Sequence, residues 1–221
     1  VGGKPVASVG GLGDAVPSPG RTGFILNKMG AWFGSAHFRG EMRAGGVGGS
    51  AAGLAIPEQV EVHEEAAGII GLGECAGRYV VFKGVNARYG TMTATVSFAR
   101  LESYPQFSLC AAARGHRGPM LSQMIDFQRG GAAVVRLLGI LPYHGELKTA
   151  TYGGKRLDGV SLNEPIKITI SHQPESASCR FQDERAVSYR AGDIPLPKEK
   201  GRWGFRSTDL SATIHRVEFR F

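Results

Sequence analysis

The chain has 221 residues, of which 42% are hydrophobic and 20% are charged, and its formal net charge is +7. These values are typical of an ordinary globular protein, and no apolar run approaches the roughly 18 residues that a membrane-spanning helix needs. The 33 glycines follow no Gly-X-Y period, which excludes collagen.

The first 57 residues differ in composition from the rest. The stretches VGGKPVASVGGLGDAVPSPG and RAGGVGGSAAGLAIP are rich in Gly, Ala, Ser and Pro, as arms and linkers are. The apolar stretch between them, TGFILNKMGAWFGSAHF, predicts one or two short strands that dock on the main domain or on a neighbouring subunit. We therefore divide the chain into an N-terminal arm, 1–57, and a domain, 58–221. Because Val1 is not a natural starting residue, a leader could have been removed before it.

From residue 59 onward, short strands recur with Gly, Pro and Asn between them. The clearest run is TMTATVSFAR, in which apolar residues alternate with Thr and Ser at the period of a strand with one buried face. EPIKITISH and the closing run RVEFRF alternate in the same way. About ten such strands predict an all-β antiparallel sandwich of the jelly-roll type, with almost no helix. The predicted core includes Val96, Phe98, Ile168, Ile170, Val217 and Phe219.

The end of the chain, KGRWGFRSTDLSATIHRVEFRF, predicts two strands joined by a short polar connection. In the last one, Val217, Phe219 and Phe221 share one face and the charged residues share the other. A terminal strand this apolar would aggregate unless it were paired inside a sheet. We therefore expect the last strand to complete the sandwich.

The order of these strands resembles the concanavalin A-like lectin/glucanase sandwich. The resemblance is carried by TMTATVSFA, a strand ending in AAAR, MIDF, EPIKITISH, ASCRFQDE and the closing GRWGF and IHRVEFRF runs, over about residues 60–221. Within that fold it is similar to laminin-G-like modules and to domains of the 3-keto-disaccharide hydrolase type. The resemblance implies a sugar-related function. The paired-carboxylate signature of the sandwich glucanases is absent, so the catalytic residues are unknown and the question of enzyme activity stays open.

The run EVHEE is a candidate metal or acid/base cluster. A strand would place Glu61, His63 and Glu65 on one face, where they could hold a cation such as Ca²⁺ or divide acid and base roles. The alternative is a charged, solvated face of an edge strand. No organic cofactor is predicted.

The run ARGHRG is a candidate anion site. Arg114, His116 and Arg117 follow a predicted strand, and arginine presents a planar fork that suits carboxylate, sulfate or phosphate. Arg100, at another strand end, would add to the same positive region if the strands are neighbours. The alternative is a basic hairpin loop.

Three further residues are candidate ligand contacts. Asp126 and Arg136 interrupt apolar strands and should lie on the less buried face, which often forms the ligand groove in this fold; the alternative is a cross-strand ion pair. Trp203 could be a platform for a sugar ring, although a core or rim aromatic is the more common role.

The cysteines and the net charge limit the kinds of bond and partner that the chain is expected to have. Cys75, Cys110 and Cys179 are too scattered for a disulfide framework or a zinc motif, and only a Cys75–Cys179 disulfide remains as an alternative to free thiols. The positive charge favours anionic partners, but no dense Lys/Arg cluster is present, so nucleic acid is not the expected partner.

Three functions remain open after these considerations. The first is a lectin-like domain that binds a glycan, with an acidic glycan favoured by the charge. The second is a structural subunit of a shell, virion or surface assembly whose arm forms homo-oligomer contacts. The third is a carbohydrate-active hydrolase or lyase. All three favour an extracellular, cell-envelope or virion-surface location.

Overall fold

The computed structural model describes residues 39–42, 54–58, 60, 62–66, 69–75, 77–99, 101–116, 118–162, 164–182 and 184–221. Every regular element in these ranges is a strand. The strands are β1 (Arg39–Met42), β2 (Leu54–Ala55), β3 (Val62–Ala66), β4 (Ile69–Leu72), β5 (Val80–Ala87), β6 (Gly90–Ala99), β7 (Gln106–Ala113), β8 (Met120–Gln128), β9 (Ala132–Tyr143), β10 (Glu146–Leu157), β11 (Ile166–His172), β12 (Ser176–Phe181), β13 (Glu184–Arg190), β14 (Gly201–Thr208) and β15 (Ser211–Arg220).

The strands form two antiparallel sheets. The first has the order β13-β12-β11-β6-β15-β4-β3, with β1 also paired to β15. The second has the order β10-β9-β8-β7-β14-β5-β2. This arrangement confirms the predicted all-β sandwich. Most of the predicted arm, 1–57, lies outside the described residues, so the division into arm and domain stays a prediction.

The core lies between the two sheets. Phe82 of β5 shows how closely they interlock, because its ring lies 5.6 Å from Phe205 of its own sheet and 5.1 Å from Phe219 of the other, edge to face in both cases. Of the six predicted core residues, five are buried. Phe98 is only partly buried, since it lies near the end of β6, where it packs on Phe107 and Phe127.

The last strand is an inner strand of the first sheet, as the alternation at the end of the sequence predicts. β6 pairs along one side of β15, and β4 and β1 share its other side. Val217 and Phe219 are buried, whereas Phe221 is 38% exposed at the rim, stacked on Phe219. The preceding strand, β14, belongs to the other sheet, so the short connection between them crosses the sandwich.

The three cysteines are free and buried, which removes the Cys75–Cys179 disulfide as an alternative. Burial raises the pKa of the Cys179 thiol to about 12 and raises those of Cys75 and Cys110 as well. Among the described residues, no helix is long and apolar enough to cross a membrane.

Candidate functional site

The outer face of the second sheet carries the charged residues that interrupt its apolar strands. In β8, Ile125 and Phe127 belong to the core, and Asp126, between them, points to the opposite face. Arg136 does the same in β9, and its guanidinium forms an ion pair with Asp126 Oδ2. The sequence hypothesis therefore placed both residues on the correct face, and the cross-strand pair offered as its alternative is also present. Asp126 Oδ1 is buried and makes no hydrogen bond.

A cleft of about 820 Å³ opens at the end of this face beside Asp126. Its walls come from the loop before β7, the first residue of β7, the end of β8 and the turn between β8 and β9. Its polar lining consists of Glu102, Ser103, Tyr104, Gln106, Asp126, Gln128 and Arg129. Gln106 is opposite Asp126 in the sheet. Arg156 holds Gln128 Oε1 at 2.8 Å, so the cleft contains side chains that are already oriented.

Tyr104 stands at the mouth of the cleft and is 78% exposed, the highest value among the large exposed hydrophobic side chains that the structure describes. Asp209 fixes the loop that carries Tyr104. The Asp209 carboxylate accepts the Tyr104 N–H at 3.1 Å, and the Asp209 carbonyl accepts the Glu102 N–H at 2.8 Å. The Phe127 N–H donates to the Pro105 carbonyl at 2.9 Å and ties the loop to β8. The exposed ring is therefore displayed from a braced backbone.

The opposite wall is the turn from β8 to β9. Gly130 and Gly131 have φ values of 80° and 73°, a left-handed backbone that glycine adopts without strain. The Val160 N–H donates to the Gly131 carbonyl at 2.7 Å and anchors the turn to the chain after β10.

The middle of the same face is closed by Tyr79. Its ring packs with Val81, Cys110 and Met120, and its hydroxyl lies 2.7 Å from Ser122 Oγ. Burial raises the pKa of Tyr79, and the Arg206 guanidinium, 5.0 Å from the ring centre, partly opposes that rise. Tyr79 therefore fills the middle of the face.

Arg114 and His116 lie at the other end of β7 from the cleft. The Arg114 guanidinium pairs with Glu199, and both side chains are largely exposed. His116 Nδ1 donates to the Tyr79 carbonyl at 2.6 Å. Arg100 and Arg117 lie outside the described residues, so their share in a positive site stays a prediction.

Trp203 is a core residue. Its side chain is 0% exposed, its Nε1–H donates to the Ala87 carbonyl at 3.2 Å, and Phe221 packs against its edge. The reason is the register of β14, in which Trp203 and Phe205 both face the opposite sheet. A sugar ring cannot stack on it in this structure.

The EVHEE cluster is only partly described. Glu61 lies outside the described residues, and His63 and Glu65 are placed as backbone in β3, the outermost strand of the first sheet, without a description of their side chains. Among the side chains that the structure does describe, no group of three His, Cys, Asp or Glu could hold a metal ion. A cation at EVHEE therefore stays a prediction.

Comparison with known proteins adds information on the fold. No protein-family model and no curated protein matches the sequence. Among solved structures, the carbohydrate-binding module CBM66 from Bacillus subtilis is similar with a TM-score of 0.57 and 9% identity, over 76% of this chain and 96% of that one. The CBM2 module of the evolved Dit protein of Lactobacillus casei BL23 phage J-1 has a TM-score of 0.54 and 10% identity, over 75% and 81%.

A third similar structure is a prokaryotic β-1,3-1,4-glucanase from a mouse hindgut metagenome, with a TM-score of 0.50 and 10% identity over 84% of this chain and 99% of that one. Identities this low establish the fold and nothing finer. The chain shares the β-sandwich fold of these structures, in agreement with the fold that the sequence resemblance implies.

Proposed function

We propose that this chain is a lectin-like domain that binds a glycan in the cleft at the end of its second sheet. The observation that carries the proposal is the exposed Tyr104 ring at the mouth of a cleft that also contains Gln106, Asp126 and Gln128. A sugar ring has an apolar C–H face, which an aromatic ring covers, and hydroxyl groups, which need oriented polar partners. Both requirements are met within one cleft.

The state of Asp126 supports the same proposal. Its Oδ2 is bound to Arg136, which fixes the carboxylate in one position, and its Oδ1 makes no hydrogen bond. Asp126 lines the cleft, so a sugar hydroxyl that reaches Oδ1 would supply the missing donor. A buried acceptor without a donor is unfavourable, so a ligand that supplies one gains affinity. The fold is shared with two structures whose names describe carbohydrate-binding modules, and the charge of +7 favours a glycan with acidic groups.

Replacement of Tyr104 by alanine tests the proposal. After a glycan array has identified a bound oligosaccharide, calorimetry should show an affinity for it that is about 10-fold to 100-fold lower in Tyr104→Ala, the usual effect of losing a central aromatic contact. Tyr143→Ala is the matched control, because Tyr143 is 52% exposed in the β9–β10 hairpin, away from the cleft.

Two results would contradict the proposal. One is an unchanged affinity in Tyr104→Ala. The other is an array without binding, together with assembly of the full chain into large particles that fails when residues 1–57 are deleted. The second result would favour the structural-subunit function.

A further inference from the structure

Five exposed cations meet at the end of the second sheet that lies opposite the cleft. They are brought together from three separate parts of the sequence. We call this surface the basic end, and it consists of Arg88, Arg114, Lys198, Lys200 and Arg202.

The pairing of three strands creates the basic end. β14 begins between β5 and β7, where Gly201 is opposite Ala87 and Arg202 is opposite Ala113. Arg88 directly follows Ala87, and Arg114 directly follows Ala113. A Cβ at position 201 would overlap the carbonyl group of Ala112, so glycine there lets the chain press against the end of β7. The cations are thus held on a fixed framework.

The basic end keeps a strong positive charge despite one carboxylate within it. Glu199 pairs with Arg114, but the two side chains are 66% and 57% exposed. An exposed pair of this kind contributes little to stability, so an incoming anion can replace Glu199 at small cost. Removing the Glu199 charge should therefore strengthen, and not weaken, the binding of an anion.

We propose that the basic end binds the carboxylate or sulfate groups of an acidic polysaccharide. This inference rests on the proposed glycan-binding function and gives it a second contact surface, which would hold the charged groups while the cleft holds a sugar ring. Arg202 lies on β14, and Arg88 and Arg114 follow its two neighbours, β5 and β7. Neighbouring strands are about 4.8 Å apart, which is close to the length of one sugar ring, so successive acidic sugars match this row.

The surroundings favour a glycan over a nucleic acid. Proteins that bind single strands add exposed aromatic platforms on which bases stack. The aromatic residue beside Arg88 is Tyr89, which is half-buried and packs edge to face on His172 at 5.2 Å. It is therefore not displayed as a platform for a base.

The experiment compares polymers that share a backbone and differ in charge. Binding of the full chain to dextran, carboxymethyl dextran and dextran sulfate is measured at several salt concentrations, with a single-stranded DNA oligonucleotide of similar charge alongside. The test variant is Lys198→Gln/Lys200→Gln/Arg202→Gln. The control, Lys167→Gln/Arg180→Gln/Arg190→Gln, removes the same charge from exposed positions on the first sheet.

At low salt the test variant should bind the two charged dextrans about 10-fold more weakly or worse, because three exposed ion contacts are lost. The control should bind like the unaltered chain, and Glu199→Gln should bind about twofold to threefold more tightly since a repulsive charge is gone. Both differences from the unaltered chain should become smaller as the salt concentration rises, because salt screens exposed charges. All variants should keep the melting temperature of the unaltered chain.

The proposal is overturned if the control loses as much affinity as the test variant, if Glu199→Gln binds no more tightly, or if the DNA binds more tightly than dextran sulfate through the same residues. These outcomes are independent of the cleft, because Tyr104→Ala leaves the basic end intact. Failure of the cleft and failure of the basic end can therefore be told apart.

Discussion

Replacing Phe219 by alanine should lower the free energy of unfolding by about 3–5 kcal/mol, the cost of removing a large aromatic side chain from a packed core. Phe219 is 2% exposed in β15, an inner strand of the first sheet. Its ring packs edge to face on Phe82 at 5.1 Å, so the substitution leaves a cavity at the contact between the two sheets. Denaturant unfolding followed by circular dichroism measures the loss.

Tyr104→Ala provides the matched control for this substitution. It also removes an aromatic ring, but from a side chain that is 78% exposed. Its effect on stability should stay within about 0.5 kcal/mol. A loss below about 1 kcal/mol in Phe219→Ala would mean that the last strand is peripheral to the core, which would contradict the central place of β15.

The free energy of unfolding should fall as the pH is lowered from about 6.5 to about 4, because the folded protein resists protonation of His172 in this range. Its side chain is fully buried at the end of β11, and burial lowers its pKa to about 4, a shift that a backbone contact with Arg88 opposes only in part. In the unfolded chain the pKa is about 6.5, so the unfolded state binds more protons between these values. The neutral histidine thus contributes stability that is fully present above about pH 6.5 and is lost by about pH 4.

The size of this effect is up to about 3 kcal/mol, from the pKa of about 4 in place of 6.5. Urea unfolding at several pH values between 7 and 4 measures it. The free energy of unfolding of His172→Gln should depend less steeply on pH, whatever its absolute value. His144→Gln, in the exposed turn after β9, should keep the dependence of the unaltered chain. An equal slope in His172→Gln and the unaltered chain would contradict this assignment.

The alternation of inward-facing and outward-facing residues along each strand was the part of the fold that the sequence could predict. Met92, Ala94 and Val96 are buried in β6 while the Thr residues between them are half-buried on the outer face, as the alternation requires. The closing strand was predicted from residue 216 onward. Upstream of that point the buried residues are Ala212 and Ile214, and a bulge at His215 shifts the pattern by one residue before Val217. The bulge explains why alternation is clean only in the last six residues.

The sequence could identify a charge inside a strand but not the contact that it makes. Asp126 and Arg136 were placed on the outer face from their apolar neighbours alone, and their ion pair confirms the cross-strand alternative. For Trp203 the alternation with Phe205 suggested a shared face, but whether that face is core or groove depends on how β14 is oriented between β5 and β7. That is a long-range property, and sequence period does not contain it.

The residues missed by sequence reasoning are those whose neighbours are distant in the chain. Tyr104 acquires its place at the cleft through a hydrogen bond from its backbone N–H to Asp209, more than a hundred residues later. The basic end likewise depends on the pairing of β14 with β5 and β7. Lys198, Lys200 and Arg202 are close together in the sequence, but only the sheet order shows that Arg88 and Arg114 lie beside them.

The most direct test of glycan binding in the cleft is to map the bound oligosaccharide by NMR chemical shifts of backbone amides. Titration should shift the amides of Tyr104, Gln106, Asp126 and Gln128, with small changes at Thr93 and Thr169 on the outer face of the first sheet. A saturable set of shifts centred on the cleft is the result that we expect. Shifts centred on the first sheet, with the cleft amides unchanged at saturation, would contradict the proposed site.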